Sequence, residues 1–353
     1  MKKLSIAFFS CMTALVAACS FPASNPVLTV EGGQIQGVPT ETKGVTVYKG
    51  IPYAAAPTGE NRWKEPQAVT PWEGVKIADH FSAASVQNKH DDTNSYTSEF
   101  FFEPDPEFSE DCLYLNVWTK APGKTDAKLP VAMWIHGGAY TGGWGFEREM
   151  DGEAWAERGV ILVTINYRLG IFGFLTHPFL SEESAHGVSG NYGILDQIAA
   201  LKWISNNIEQ FGGDPDNITI FGQSAGAGSV MNLVTSPLTG DLIKKAIIMS
   251  GGGVSQSQSP VAGMSAGTAV LEENAKALFD WAGYDTLEKM REASTESVFK
   301  LSSEYAKANG RPLRISSSPV VDNYVTSESF SSAAIGGRIK DIPYMMGFVM
   351  DDM

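Results

Sequence analysis

The residues best suited to chemistry are Gly222-Gln223-Ser224-Ala225-Gly226, a serine with a glycine two positions away on each side. The apolar run NITIF precedes it, and SAGAGSVMNLVT, which reads as a helix, follows. A serine on a tight strand-to-helix turn is a nucleophile elbow. Side chains at the flanking glycines would strike neighbouring backbone, and the helix N-terminus favours negative charge developing on the serine oxygen. The plain alternative is a glycine-rich turn with a solvent-facing serine. A second group, His136-Gly137-Gly138-Ala139, directly follows the apolar run VAMWI. Glycines there leave backbone N–H groups able to face an oxyanion, and the elbow adds the N–H of Ala225. Losing one such donor costs a serine hydrolase on the order of 3 kcal/mol of barrier. His136 itself reads as structural, and a tight turn is the plain reading of its glycines. In this order the two motifs point to acyl transfer through a covalent serine intermediate.

The elements that must hold these motifs follow from periodicity. Residues 27–80 read as short strands broken by Gly and Pro, an antiparallel meander at a domain edge. From residue 113 the pattern changes to LYLNVWT and VAMWI as strands, AWAERG as helix and VILVTINYRLG as strand. LDQIAALKWISNNIEQFG reads as a helix with a Gly stop, and NITIFG and KAIIMSGG as strands. Continuous apolar strands alternating with helices predict a doubly wound, mostly parallel sheet, an α/β-hydrolase type of architecture. Residues 255–335 read as a helical cap excursion, with helices in GTAVLEENAKALFDWAG, TLEKMREA and ESVFKLSSEYAKA, before a last strand in IPYMMGF.

Three blocks carry a resemblance to a known family: Glu110-Asp111-Cys112-Leu113-Tyr114-Leu115-Asn116-Val117, NYRLGIFGF at 166–174, and GNYGILDQIAALKWISNNIEQFGGDPDNITIFGQSAG at 190–226. The chain resembles the type-B carboxylesterases, a family that includes bacterial para-nitrobenzyl esterases and cholinesterases, from residue 27 to the end. The resemblance implies Ser224 as nucleophile, with Gly137, Gly138 and Ala225 forming the oxyanion hole. It also implies a structural ion pair between Arg62 and Glu110, where two unrelated surface charges are the alternative. Family members often pair the cysteine of EDCLYLN with one upstream. Ser85 stands at the matching place here, which leaves Cys112 a free, buried thiol. Gln223 stands where many members have Glu.

The resemblance places the triad acid in a stretch like G-x-x-x-D-E-G. The chain reads Gly347-Phe348-Val349-Met350-Asp351-Asp352-Met353 there, so Asp352 falls at the acid position and Asp351 beside it. Two terminal carboxylates without a role are the alternative. Triad order in this fold is Ser, acid, His. The five histidines, His80, His90, His136, His177 and His186, all precede Ser224. The expectation is a chain lacking its last strand, histidine loop and closing helices, the front portion of a longer esterase. The competing readings are a catalytically inactive truncated relative and a cholinesterase-like binding module.

Bulk properties narrow the partners. The chain has 353 residues, 43% apolar and 19% charged, with net charge −14. So acidic a protein repels phosphate backbones, which argues against nucleic acid. No metal-ligand cluster, phosphate loop or dinucleotide fingerprint stands out, so no cofactor is expected. Lys2 and Lys3 followed by apolar Leu4 to Ala18 form an export signal over residues 1–18. It ends Val16-Ala17-Ala18-Cys19, like a bacterial lipoprotein box, with Cys19 lipidated and residues 19–26 as tether; an ordinary signal with a chance cysteine is the alternative. Residues 27–353 form the esterase domain, exported and touching a membrane only through that anchor. Its partner is a small-molecule ester.

Overall fold

The structure is a computed structural model that describes residues 25–90, 105–251 and 268–349. Twelve strands occur among these residues: β1 (Val27–Val30), β2 (Gly33–Pro39), β3 (Thr46–Pro52), β4 (Val75–Ala78), β5 (Ala84–Ser85), β6 (Phe108–Ser109), β7 (Tyr114–Thr119), β8 (Leu129–Ile135), β9 (Ile161–Ile165), β10 (Gly213–Gln223), β11 (Lys245–Met249) and β12 (Tyr344–Gly347). The α-helices are α1 (Glu153–Glu157), α2 (Gly170–Phe174), α3 (Pro178–Glu183), α4 (Tyr192–Asn207), α5 (Ala225–Thr235), α6 (Thr268–Trp281), α7 (Leu287–Glu292), α8 (Thr295–Asn309) and α9 (Phe330–Ile335).

The main sheet runs β1-β2-β3-β7-β9-β8-β10-β11-β12, with β4 on the side of β2. From β9 through β8, β10 and β11 to β12 every pairing is parallel, and from β1 through β2, β3 and β7 to β9 every one is antiparallel. Side chains alternate between two cores, as the strand period of two requires. Val131, Met133 and Ile135 join the core under α4 and α5, while Ala132 and Trp134 pack with Leu162, Phe221 and Ala156 of α1 on the other face. Helices on both faces explain why these strands read as unbroken apolar runs.

Two local readings change. The meander expected over residues 27–80 contains one parallel pairing, β2 with β4. Trp72 causes it: its backbone N–H donates to Gly32 O at 2.9 Å and its indole N–H to Gln34 O at 2.9 Å. That anchor returns the chain to β2 in the same direction. The strand expected to run on through NYRLG stops at Ile165. Asn166 turns away to accept from Gly145 N (2.8 Å) and donate to Ala83 O (3.1 Å).

Arg168 then enters the interior, its side chain 2% exposed, against Asp196 on α4, which is 0% exposed. The guanidinium donates to the carboxylate at 2.8 and 2.7 Å, and the Arg168 backbone N–H adds a bond of 3.0 Å. A buried charge pair persists only when its hydrogen bonds are satisfied in this way. It fixes the turn after β9 onto α4.

Among the described residues the excursion between β11 and β12 is helical as read, and it joins the sheet domain at several places. Arg62 donates to the carbonyls of Met290, Arg291 and Ala293, closing the C-terminal end of α7. Asn191 donates to Val320 O (2.7 Å) and Asp322 (2.8 Å) and accepts from Val320 N (2.9 Å). Phe279 of α6 packs edge-on against Trp63 and His177. No helix among the described residues is long and apolar enough to cross a membrane.

Candidate active site

Ser224 sits between the end of β10 and the start of α5, half-buried, with φ 55° and ψ −119°. Such a left-handed conformation costs a non-glycine residue about 1–2 kcal/mol. Its N–H donates to Met249 O of β11 (3.0 Å), and its carbonyl accepts from Gly228 N (3.0 Å), so sheet and helix hold the turn together. The turn is tight because α5 lies against β8: a Cβ on Gly226 would sit 2.1 Å from Ile135 O. Ala225 opens α5, where first-turn amides have no acceptor inside the helix.

The loop after β8 lies alongside. A Cβ on Gly137 would come 3.4 Å from Ser224 Cβ and 2.9 Å from Gln223 O. Gly138 has φ +94°, and its carbonyl accepts from the N–H groups of Thr141 and Gly142, both at 2.9 Å. Ala139 (φ 54°) and Tyr140 (φ 61°) are left-handed too. Gly137 is half-buried and Gly138 exposed, so this face of the loop opens to solvent. The structure therefore brings Gly137 against Ser224, with Gly138 and Ala225 next to them along the chain.

His136 is behind the loop, 1% exposed. Its ring stacks on Tyr167 with centroids 4.4 Å apart, and its Nδ1 lies 2.9 Å from Gly137 O. Burial pulls its pKa down to about 4, so the ring is neutral and structural. Glu147, close to Trp144 N, is also buried enough that its pKa rises to about 7, against the pull of that N–H.

The other four histidines are engaged elsewhere. His177 Nδ1 accepts from Phe179 N (3.2 Å), capping α3. His186 stacks on Tyr324, centroids 3.7 Å apart, and faces Glu65. His80 pairs with Asp79 at the surface, and His90 Nδ1 lies 2.5 Å from Asp105 Oδ1.

Arg62 and Glu110, each 6% exposed, meet with guanidinium–carboxylate bonds of 2.7 and 2.6 Å. Thr295 of α8 adds a 2.6 Å bond to Glu110. Cys112 is a buried free thiol. Burial pushes that thiol pKa up. Cys19, Asp351 and Asp352 lie outside the described residues. Sequence reading passed over Arg168 and Asp196, whose signal was a charge inside an apolar run. It also missed Gln87, Tyr140 and Glu147, whose types carried no signal.

The profile of the carboxylesterase family matches residues 24–353. The chain belongs to that family. It is 37% identical over 346 residues to a fumonisin B1 esterase of Sphingopyxis macrogoltabida, a match that covers 96% of this chain and 58% of the relative. It is 37% identical over 332 residues to the para-nitrobenzyl esterase of Bacillus subtilis (strain 168), covering 93% and 63%. Among solved structures, a thermophilic PNB esterase superposes with a TM-score of 0.78 at 34% identity, covering 93% of this chain and 64% of that one. The chain thus spans about three fifths of the length of these relatives.

Proposed function

We propose that this chain carries the nucleophile and the oxyanion donors of a serine carboxylic ester hydrolase. The observation that carries the reading is the left-handed Ser224 turn with Gly137 packed on its flank. Ser224 Oγ attacks the ester carbonyl and loses its proton to a base. The N–H groups of Gly137, Gly138 and Ala225 stabilise the oxyanion as it forms. The alcohol departs and leaves an acyl-enzyme, which water hydrolyses. Asp352 is the acid of the triad. None of the five histidines in this sequence is the base that it orients. The chain is exported and anchored by lipid on Cys19. The names of the relatives support carboxylic esters as the substrate class.

That each of the five histidines is held by another group also favours an inactive or binding role for the chain. Hydrolysis of p-nitrophenyl acetate with and without added imidazole separates the readings. A site lacking only its base gives slow turnover that imidazole accelerates and Ser224→Ala removes, since a positioned base contributes about 10²–10⁴-fold. A binding module gives the same rate with Ser224→Ala as without it, at every imidazole concentration.

A further inference from the structure

The loop that flanks Ser224 has two consecutive non-glycine residues in left-handed backbone, Ala139 and Tyr140. A strained loop keeps one shape only when its surroundings over-determine it. Two side chains meet that need, one on each side.

Gln87 is 5% exposed and lies between β5 and the loop. Its Oε1 accepts from Gly143 N at 2.8 Å, while its Nε2 donates to Gly143 O at 3.0 Å and to Ser85 O at 3.0 Å. One amide thus satisfies both backbone groups of Gly143, as a neighbouring strand would. A side-chain amide has four hydrogen-bonding sites, and three are committed here.

Tyr140 is 6% exposed and crosses in the other direction. Its hydroxyl lies against α5, beside Gly228. The approach needs glycine at 228, because a Cβ there would lie 2.5 Å from the Tyr140 hydroxyl. Gly228 N in turn donates to Ser224 O. Ser229 Oγ accepts from Gln197 Nε2 of α4 (2.9 Å), and Asn232 Nδ2 donates to Gly228 O (2.9 Å). The hydroxyl therefore packs against the first turn of the nucleophile helix, whose own side chains are tied together by these bonds. At the other end of the residue, Tyr140 O accepts from Gly170 N at 2.7 Å.

We propose that Gln87 and Tyr140 are positioning residues that clamp the 137–143 loop against the nucleophile helix, Gln87 holding its far end and Tyr140 tying its middle to α5. Gly137 and Gly138 keep their place beside Ser224 because the loop cannot roll away from either clamp. The kinetic consequence rests on the ester-hydrolase reading; the clamp does not.

The test measures amide hydrogen exchange and fluorophosphonate labelling on the full chain and its variants Tyr140→Phe, Gln87→Leu and Gln87→Glu, the last keeping an acceptor for Gly143 N. Peptides covering 137–143 exchange about tenfold faster in Gln87→Leu, the effect of losing one net hydrogen bond, with β8 and β10 unchanged. Tyr140→Phe gives a smaller increase in the same peptides. The limiting labelling rate of Ser224 falls about tenfold or more while the half-saturating probe concentration stays put, because misplaced donors act on the transition state. If Gln87→Leu does not fold, Tyr140→Phe and Gln87→Glu carry the comparison. Unchanged exchange in the folded variants overturns the proposal. So does faster exchange with an unchanged limiting rate, which leaves the two side chains merely structural. If the wild-type chain is never labelled, the esterase reading fails and exchange alone decides the clamp.

Discussion

Replacing Glu110 by alanine leaves the Arg62 guanidinium in a site where it is 6% exposed. Its three carbonyl acceptors at Met290, Arg291 and Ala293 remain, but no negative charge does. The carboxylate takes two bonds from Arg62 and one from Thr295, so three donors lose their acceptor together. Breaking a buried pair by removing one partner costs about 3–5 kcal/mol. Set against a typical stability of about 5–15 kcal/mol, that is a fifth or more of the total. Urea unfolding of wild type, Glu110→Ala, Arg62→Ala and the double variant closes a cycle that isolates the pair. The expected coupling is about 2–3 kcal/mol, with the double variant less destabilised than the sum of the singles. Hydrogen exchange locates the damage at α7 and α8, which Arg62 and Thr295 join to Glu110. A coupling below about 0.5 kcal/mol, the value of an exposed pair, refutes the reasoning.

Three further outcomes follow from named contacts. Gly226→Ala places a Cβ 2.1 Å from Ile135 O, which forces α5 off β8; overpacking destabilises by about 1–3 kcal/mol, read as a lower urea midpoint, and an unchanged midpoint counts against the packing described. His136 has a pKa near 4 when folded, so protons bind the unfolded chain more tightly and stability falls as pH drops from about 6.5 toward 4. The loss reaches about 3 kcal/mol, and His136→Asn flattens that acid limb in pH-dependent unfolding. Glu147 is shifted the other way, up to about 7, so the folded chain binds its proton more tightly and stability is lost as pH rises through that value. Thermal unfolding of Glu147→Gln therefore gains on wild type between pH 5 and pH 8, and an equal difference at both pH values contradicts the burial described.

What could be read from the chain alone was what local stereochemistry demands. Gly222 and Gly226 around Ser224, and Gly137 and Gly138 after VAMWI, are short-range requirements of two tight turns. Strand and helix type followed from apolar period, which the two-faced sheet imposes on every residue of β8 and β9. Roles that depend on distant partners were not legible. Gln87 meets Gly143 across 56 positions, and nothing in ASVQNKH marks an amide that pairs with another loop. Tyr140 looks like any aromatic until α5 is placed beside it. Arg168 and Asp196 sat in plain view as charges within apolar runs, yet only the turn of NYRLG away from β9 brings them together. Sequential neighbours were assumed for β4, and Trp72 redirects it. Arg62 and Glu110 were found through the family resemblance, since 48 positions separate them.

The central claim is that Ser224 is the nucleophile, held in a left-handed turn beside backbone donors. The most direct measurement incubates the chain and its Ser224→Ala variant with a fluorophosphonate in the presence of imidazole as base, then determines intact mass and maps the adduct by peptide sequencing. The account predicts one adduct per chain, on Ser224 and absent from the variant. An unmodified chain under conditions that label an active serine esterase, or an adduct that survives Ser224→Ala, contradicts it.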